Sequence, residues 1–192
     1  MSPNAHPKLV VLSAPSGTGK STLAAMLLAK HPSFSLSISF TTRQPRGNEQ
    51  SGVHYFFTTE PEFRQMVKNG ELLEHALVFG KHWYGTSRQS VEKMLGAGQN
   101  VLFDIDVQGA KSLKAAFKER CVTIFLLPPS IEELERRLRN RKTDSPEAIE
   151  LRLKTAKEEL DQAHFFDHQL INSDIDGTYA SIEQVLSAKG CI

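Results

Sequence analysis

A glycine-containing stretch near the start of the chain, residues 14–21, constrains the fold more than any other feature. It follows an apolar run at residues 8–12 and precedes a segment with amphipathic helical spacing, so it predicts a sharp turn between a buried strand and a helix. Glycines in such a turn let several backbone N–H groups point into one concavity, which the positive end of the helix dipole also faces. The stretch consists of Ala14, Pro15, Ser16, Gly17, Thr18, Gly19, Lys20 and Ser21.

These residue types predict a loop that binds the phosphates of a nucleoside triphosphate. Lys20 is expected to reach the outer phosphates, and the Ser21 hydroxyl is expected to contact the magnesium ion that bridges them. Ala14 stands where the usual pattern begins with glycine. The alternative is an ordinary glycine-rich turn between a strand and a helix, with no bound ligand.

Composition narrows the class of protein. The chain has 192 residues, of which 40% are hydrophobic and 23% charged, and this predicts one main α/β domain. A net charge of +1 gives no global basic field, so we expect no nucleic-acid partner. Two cysteines make no disulfide framework, and no apolar run is long enough for a signal peptide or a membrane span. We therefore expect a cytoplasmic protein without a membrane partner, whose oligomeric state is left open.

The hydrophobic pattern divides the chain into a core and an insertion. Strand-like runs alternate with helical patterns in residues 1–35 and 90–192, which predicts a parallel sheet flanked by helices, the fold of P-loop nucleotide hydrolases and kinases. Residues 36–89 instead contain short β-like pieces, at residues 37–41, 55–57 and 77–79, and one helix with a capping box at Thr59 and Glu62, so they predict an inserted α+β subdomain.

Two acidic residues follow one of the predicted core strands, the run at residues 101–106. Asp104 and Asp106 come where a phosphate-loop protein places carboxylates near its magnesium or its substrate, at the carboxyl ends of parallel strands. We assign Asp106 together with Ser21 to the metal. The alternative is that these acids only begin the next turn.

A basic stretch joins two predicted helices in the second half of the chain. The first helix begins at the capping pair Ser130 and Glu133, and the second extends from Pro146 to about residue 162. With the turn between them they could form a lid, at about residues 138–160, that brings arginines over a triphosphate during phosphoryl transfer. A solvated helix face is the alternative for such a run. The cationic residues are Arg136, Arg137, Arg139, Arg141, Lys142 and, on the second helix, Arg152.

Seven motifs in order resemble guanylate kinases of the bacterial type, from about residue 8 to residue 186. One shared motif would be unremarkable, whereas seven in register are specific. The matching stretches are Ser13-Ala14-Pro15-Ser16-Gly17, Thr41-Thr42-Arg43-Gln44-Pro45-Arg46, His54-Tyr55-Phe56-Phe57, Leu73-Glu74-His75-Ala76, Tyr84-Gly85-Thr86-Ser87, Asp104-Ile105-Asp106-Val107-Gln108-Gly109 and Leu127-Pro128-Pro129-Ser130.

The resemblance implies that the insertion binds GMP. Glu74 matches the carboxylate that reads guanine, whose N1–H and exocyclic amine are adjacent donors, whereas adenine offers an acceptor at N1. The matching residues that hold the GMP phosphate carry guanidinium and phenol groups, which suit an anion. The implied GMP-binding set is Ser39, Arg43, Arg46, Tyr55, Glu74, Tyr84, Thr86 and Asp104.

The same resemblance implies transfer of the γ-phosphoryl group from ATP to GMP, giving ADP and GDP, with Mg²⁺ as cofactor. Such a reaction depends on positioning and cations and needs no strong general base, because the nucleophile is a phosphate oxygen. The implied ATP-binding residues are those of the loop at 14–21 with Thr22 and Asn172. The implied catalytic residues are Lys20, Arg43, Arg137, Arg141 and Arg152.

The chain departs from the family pattern at several positions. Besides Ala14, Gly47-Asn48 stands where Pro-Gly is common before the acid that matches Glu49, and Lys142 replaces a frequent glycine in the lid turn. Residues 80–84 contain one residue more than usual between the guanine-reading acid and Tyr84. Matching Tyr84 and Thr86 to the family therefore assumes that the extra residue bulges outward.

Two other functions remain compatible with the sequence. A kinase of the same architecture could act on another phosphorylated small molecule such as a ribose phosphate, but Glu74 would then have no base to read. A guanylate-kinase-like domain can also be a phosphopeptide-binding scaffold, but the intact Lys20-Ser21 pair and the lid arginines favour an enzyme.

Overall fold

The computed structural model of this chain describes residues 6–78, 80–140 and 145–192. Within these ranges the strands are β1 (Leu9–Ser13), β2 (Phe34–Leu36), β3 (Phe40–Thr41), β4 (Phe56–Phe57), β5 (Leu72–Val78), β6 (His82–Ser87), β7 (Asn100–Asp104), β8 (Cys121–Leu127) and β9 (His168–Ile171). The α-helices of the same ranges are α1 (Lys20–Lys30), α2 (Glu60–Lys68), α3 (Arg88–Gly96), α4 (Val107–Phe117), α5 (Ile131–Asn140), α6 (Pro146–Leu160) and α7 (Ile175–Ala188).

A five-stranded parallel sheet forms the centre of the molecule, in the order β2-β7-β1-β8-β9. All residues of β1 are buried, as expected for a parallel sheet that helices cover on both faces. Because side chains alternate along a strand, Val10 and Leu12 pack toward α1 and α7, whereas Leu9 and Val11 pack toward α3 and α4. This main sheet confirms the predicted α/β class.

A second, four-stranded sheet lies in the order β4-β3-β6-β5 and mixes one parallel with two antiparallel pairings. Helix α2 packs on it through Phe63, which is fully buried. The predicted capping box is present, since Thr59 accepts from the Glu62 backbone and Glu62 accepts from the Thr59 backbone. We refer to this unit as the small sheet. The boundaries predicted for it, after residues 35 and 89, stay a prediction.

Some predicted elements differ from the observed ones. The sequence predicts one strand over residues 37–41, but β2 belongs to the main sheet and β3 to the small sheet, with residues 37–39 as the connection between them. The strand predicted at residues 77–79 begins earlier, at Leu72, and its last residue, Phe79, lies outside the described residues. Helix α4 was not predicted.

The lid consists of α5 and α6, which pack against each other through their own small core of Leu134, Leu138, Ile149 and Ala156. The capping pair predicted for α5 is present, because the Glu133 backbone donates to the Ser130 hydroxyl at 3.1 Å. Arg141 and Lys142, expected in the lid turn, lie outside the described residues. Among the residues that are described, no helix combines the length and apolarity needed to cross a bilayer.

Candidate active site

The loop at residues 14–21, called the phosphate loop below, joins β1 to α1 as predicted. Gly17 and Gly19 have φ angles of 101° and 100°, a region that side chains other than glycine rarely adopt, so both glycines are needed for this backbone. The Thr18 N–H donates to the Pro15 carbonyl at 3.2 Å and closes the turn. Ala14, in the position usually held by glycine, packs its methyl group against the core on the α1 side of the sheet.

Lys20 and Ser21 both contact Asp104, at the end of the neighbouring strand β7. The Lys20 ammonium forms an ion pair with the Asp104 carboxylate and donates to the Ile105 carbonyl at 3.4 Å. The Ser21 hydroxyl donates to the other oxygen of Asp104 at 3.4 Å. A hydroxyl and a carboxylate side by side are oxygen ligands of the kind that Mg²⁺ prefers, either directly or through its water shell.

Asp106 has a structural contact of its own. It is the N-cap of α4, and its Oδ1 accepts from the Gly109 backbone at 2.9 Å. Asp106 nevertheless lines the same cavity as Asp104 and Lys20. The sequence assigns Asp106 to the metal, but the carboxylate that contacts Ser21 is that of Asp104. Within the described part of the chain, no cluster of three or more His, Cys, Asp or Glu side chains could hold a metal by itself.

Asn172, which follows β9, supports the phosphate loop from behind. Its side-chain amide is buried and donates to the Thr18 carbonyl at 2.5 Å. A Cβ atom on Gly19 would come within 2.7 Å of the same amide nitrogen, so Gly19 is required by this contact as well as by its φ angle. The contact therefore joins the far edge strand of the main sheet to the loop.

Glu74, on β5, is a buried carboxylate with only 6% of its surface exposed. Its Oε1 accepts from the hydroxyl of Thr86 at 2.6 Å, because Glu74 and Thr86 are opposite each other in the β5–β6 pair. Burial raises the pKa of Glu74 to about 7, although the Thr86 hydrogen bond opposes this shift. A carboxylate held this way is suited to read a base with adjacent N–H donors.

Strands β5 and β6 pair regularly around the segment 80–84. Pairing runs without a shift from Glu74 opposite Thr86 to Val78 opposite His82, and an irregularity lies earlier, between Leu72 and Glu74. The match of Tyr84 and Thr86 to the family positions stays a prediction.

Arg43 is the most constrained cation of the small sheet. Its guanidinium makes two hydrogen bonds with the Glu49 carboxylate, at 2.9 and 3.0 Å, and its Nε donates to the Tyr84 hydroxyl at 3.1 Å. The ring of Tyr55 lies 5.3 Å from the guanidinium carbon. The Glu49 hydrogen bonds raise the pKa of Arg43 above its ordinary value and lower that of Glu49. Arg46, by contrast, is exposed.

The lid contacts the phosphate loop directly. Arg152, on α6, donates to the Ser16 hydroxyl at 2.7 Å. Arg137, on α5, pairs with Glu133 at 2.8 Å and donates to the Asn172 carbonyl at 3.4 Å. Leu138 packs so closely that a Cβ atom on Gly17 would lie 3.1 Å from it. Two of the three lid arginines expected from the sequence thus lie beside the loop, and the third, Arg141, lies outside the described residues.

Several of these groups line one cavity of about 260 Å³, whereas Arg43, Thr86 and Arg137 are not among its lining residues. It extends from the phosphate loop to the Glu74 carboxylate, so one molecule bound at each end could bring two phosphates together. Its lining includes Ser16, Lys20, Ser39, Tyr55, Glu74, Tyr84, Asp104, Asp106 and Arg152.

Two residues of the site were not predicted from the sequence. Glu159, on α6, lines the cavity, and burial raises the pKa of its carboxyl to about 7 while the Lys20 charge opposes this shift. It follows Arg152 by seven positions, which is about two helical turns, so helical spacing alone could have placed both on one face. Glu49 matches a family acid, but its ion pair with Arg43 gave no signal in the sequence.

Comparisons with known proteins agree with this geometry. The sequence model of the family described as "Guanylate kinase" matches residues 6–189. The chain is 51% identical to the guanylate kinase of Gluconobacter oxydans over 93% of this chain and 86% of that protein. It is 48% identical to the guanylate kinase of Rickettsia felis over 94% of this chain and 93% of that protein.

A solved structure has the same fold. The crystal structure of guanylate kinase from Anaplasma phagocytophilum superposes with a TM-score of 0.80 at 35% identity, covering 97% of this chain and 88% of that one. The family model and these relatives span nearly the whole chain, including both sheets and the lid. The chain belongs to the guanylate kinase family.

Proposed function

We propose that this chain transfers the γ-phosphoryl group of ATP to GMP, giving ADP and GDP, with Mg²⁺ as cofactor and with the residues described above in the roles given below. The single observation that carries the acceptor assignment is the buried Glu74 carboxylate, bonded to Thr86 and facing the cavity that the phosphate loop also lines. A ribose phosphate has no base for Glu74 to bind. A phosphopeptide-binding scaffold does not require the Lys20 and Ser21 of a phosphate loop.

The donor nucleotide binds at the phosphate loop. Backbone N–H groups between Ser16 and Ser21 receive the phosphates, and Lys20 leaves its ion pair with Asp104 to reach the outer ones. Asn172 donates to the Thr18 carbonyl and thereby stabilises the shape of the loop, in addition to the ATP-binding role expected from the sequence. Thr22, in the first turn of α1, is exposed at the same end of the helix.

The acceptor GMP binds against the small sheet. Glu74 accepts from N1–H and the exocyclic amine of guanine, and the Thr86 hydroxyl keeps the carboxylate in place. Arg43, Arg46, Tyr55 and Tyr84 receive the GMP phosphate, with Arg43 already oriented by Glu49. Ser39 and Asp104 line the cavity between the two ends and complete the acceptor site.

Phosphoryl transfer follows from this placement. An oxygen of the GMP phosphate attacks the γ-phosphorus, the bond to the β-phosphate oxygen breaks, and ADP leaves. Lys20, Arg137, Arg152 and Arg141 stabilise the charge on the transferring group, and no side chain needs to remove a proton from a phosphate that is already ionised. Ser21 and Asp104 would hold Mg²⁺, which would supply charge neutralisation to the triphosphate.

The lid protects the reaction from water. Because α5 and α6 rest on the phosphate loop through Leu138 and Arg152, closure covers the phosphates only when the loop is in its binding conformation. Water is the competing acceptor, so exclusion of water favours transfer to GMP over hydrolysis of ATP.

Release of ADP with a panel of acceptors tests the proposal. With Mg²⁺ and ATP, we expect strong turnover with GMP, and little with AMP, UMP, CMP or ribose 1,5-bisphosphate, and removal of Mg²⁺ by a chelator should abolish the GMP reaction. The Glu74→Gln variant should lose about tenfold to a hundredfold in kcat/KM for GMP, because a carboxylate that accepts two donors is replaced by an amide that repels one of them.

A matched variant and two outcomes complete the test. Glu71→Gln, at an exposed acid just before β5, should leave the reaction unchanged. Unchanged GMP kinetics in Glu74→Gln would remove Glu74 from its assigned role. Turnover with the sugar phosphate alone would keep the phosphate loop and reject the acceptor pocket.

A further inference from the structure

The Glu74 carboxylate lies against the first turn of α4, at a glycine. Gly109 is the third residue of this helix, and its N–H donates to the capping Asp106. A Cβ atom built on Gly109 would lie 2.7 Å from Glu74 Oε2 and 3.2 Å from Glu74 Cδ. Real Cβ atoms essentially never approach another heavy atom to less than 3.0 Å. No side chain larger than a hydrogen atom fits at position 109 while Glu74 stays where it is.

The backbone of Gly109 does not itself require glycine. The residue is helical and is not among the glycines with positive φ angles in the described chain. Inside a helix, glycine is less favourable than alanine by about 1 kcal/mol. A glycine at this position therefore needs another reason, and the closest neighbour of its missing side chain is the carboxylate that faces the acceptor pocket.

One oxygen of the carboxylate is held on its other side, whereas the second oxygen can move. Glu74 Oε1 accepts from Thr86 at 2.6 Å, and Thr86 is fully buried in β6. On the α4 side, Ile105 Cδ1 is 3.2 Å from the same Cβ position, so a methyl group there meets packed atoms in two directions. Relief would come from displacement of Oε2, the oxygen that the Thr86 hydroxyl does not hold.

We propose that Gly109 is a positioning residue that sets the place of the Glu74 carboxylate and thereby determines selectivity for guanine. The inference rests on the proposed role of Glu74 in reading the base. A displaced Oε2 can no longer accept from both adjacent donors of guanine, so one of the two hydrogen bonds is lost while the phosphate loop, at the other end of the cavity, is untouched.

The Gly109→Ala variant tests the inference with GMP and IMP as acceptors. IMP keeps the N1–H of guanine but lacks the exocyclic amine, so it reports one of the two hydrogen bonds. We expect the KM for GMP to rise about tenfold to a hundredfold, the KM for ATP to change less than about threefold, and the preference for GMP over IMP to fall about tenfold. A merely structural defect would alter the kinetics of both acceptors in parallel and leave that preference intact.

Gly177→Ala is the matched control. Gly177 is also the third residue of a helix capped by an aspartate, and its N–H donates to Asp174 Oδ1 at 2.7 Å. The nearest atoms to its Cβ position belong to that capping residue alone. Any general effect of alanine at this helical position should therefore appear in Gly177→Ala, whose preference for GMP over IMP should equal that of the wild type.

A second comparison, made in the Glu74→Asp variant, tests the inference even if Gly109→Ala folds poorly. Glu74→Asp shortens the side chain by one methylene and withdraws the carboxylate from position 109. In that background Gly109→Ala should add less than about threefold to the loss in kcat/KM for GMP and should unfold at the same temperature as Glu74→Asp alone. An equal loss in both backgrounds, or an unchanged preference for GMP over IMP in Gly109→Ala, would overturn the inference.

Glu74→Gln separates this inference from the proposed function. If Glu74→Gln lowers the preference for GMP and Gly109→Ala does not, Glu74 reads the base but Gly109 does not position it. If Glu74→Gln leaves the preference unchanged, the assignment of the base reader itself is wrong.

Discussion

Glu74 must satisfy two opposing requirements. Burial favours its neutral form and raises its pKa to about 7, whereas acceptance of two N–H donors from guanine needs the ionised carboxylate. If Glu74 reads guanine as proposed, GMP binding at neutral pH therefore requires release of a proton from the protonated fraction of this group. This opposition links the affinity for GMP to pH.

We predict that GMP binding weakens as the pH falls below that pKa. Only the ionised fraction is competent, and this fraction falls tenfold per pH unit once the pH is well below about 7, so affinity should drop about tenfold between about pH 7.5 and about pH 6. Calorimetric titration with GMP across this range measures it. The GMP phosphate also titrates near about pH 6. The same titrations on Glu74→Gln measure the pH dependence that comes from the phosphate alone. Equal pH dependence in both proteins would contradict the prediction.

Arg43 is oriented by Glu49 before any ligand binds. Two hydrogen bonds at 2.9 and 3.0 Å fix the guanidinium plane, and the Tyr84 hydroxyl fixes its edge. A guanidinium that is already in place loses less conformational entropy when it binds a phosphate. Glu49 thus acts on the acceptor site through Arg43.

The Glu49→Gln variant should raise the KM for GMP about threefold to tenfold and leave the KM for ATP unchanged, because an amide accepts one guanidinium hydrogen bond in place of two charge-assisted ones. Steady-state kinetics with each substrate varied in turn measure this. Glu60→Gln removes an exposed ion pair with Arg64 on α2 and is the matched control, since such pairs contribute little. A rise in both KM values for Glu49→Gln would point to general damage.

At the scale of elements, the segment from the end of β7 to the start of α4 contains two acids, Asp104 and Asp106, that make different contacts. Asp106 caps the helix, and Asp104 contacts Lys20 and Ser21. Asn at an N-cap is about as good as Asp, so Asp106→Asn keeps the helix while removing one charge.

If Asp104 is the acid at the metal, Asp104→Asn should raise the Mg²⁺ concentration needed for half-maximal activity about tenfold or more, and Asp106→Asn should change it much less. Activity titrated with Mg²⁺ at fixed ATP distinguishes the two. The reverse order would support the assignment of Asp106 made from the sequence. Thermal unfolding of both variants should match the wild type within a few degrees, because neither change removes the cap.

The elements differ in how far the sequence predicts them. Helices α2 and α5 were predicted because their capping residues and apolar faces are local signals. Helix α4 was missed because the acids at residues 104–106 were interpreted as a strand end and the turn after it, although Val107 and Leu113 belong to its buried face. The division of residues 37–41 depends on which sheet each half joins, and pairing partners distant in sequence decide that.

The sequence likewise predicts some features of the candidate site and not others. Motifs in the sequence predict several residues that line the cavity, such as Lys20, Glu74 and Tyr84, because phosphate and guanine each demand particular functional groups. They do not predict that Glu49 holds Arg43, that Asn172 holds the phosphate loop or that Gly109 makes room for Glu74. The contacts of Asn172 and Gly109 join segments distant in sequence, and the contact of Glu49 depends on how residues 43–49 turn, so the motifs alone encode none of them.

At the scale of the whole molecule, the site joins three units that each have their own packing. The main sheet supplies the phosphate loop, the small sheet supplies Glu74 and Arg43, and the lid supplies Arg152 and Glu159. Two of these groups, Glu74 and Glu159, are carboxyls in the shared cavity with pKa values raised to about 7. Burial of these ionised groups without a bound ligand lowers the free energy of unfolding of the ligand-free protein.

The free energy of unfolding of the empty protein should therefore depend on these two groups in a defined pH window. In the unfolded chain their pKa is the ordinary 4.5, and in the folded chain it is about 7. Between these values the folded state binds more protons than the unfolded state, so the stability contributed by each group rises as the pH falls from about 8 to about 5 and is lost as the pH rises through about 7. For Glu74 the change is on the order of 2 kcal/mol, after allowance for water in the open cavity.

Urea unfolding of the wild type, Glu74→Gln and Glu159→Gln at about pH 5.5 and about pH 8 measures this effect, because groups common to the proteins cancel when each variant is compared with the wild type at the same pH. Each variant should gain stability relative to the wild type at the higher pH and lose that advantage at the lower one. Saturating GMP should remove the advantage of Glu74→Gln at the higher pH, since the ligand stabilises the wild type in proportion to its tighter binding. A difference between variant and wild type that is the same at both pH values would show that neither carboxyl titrates in this window.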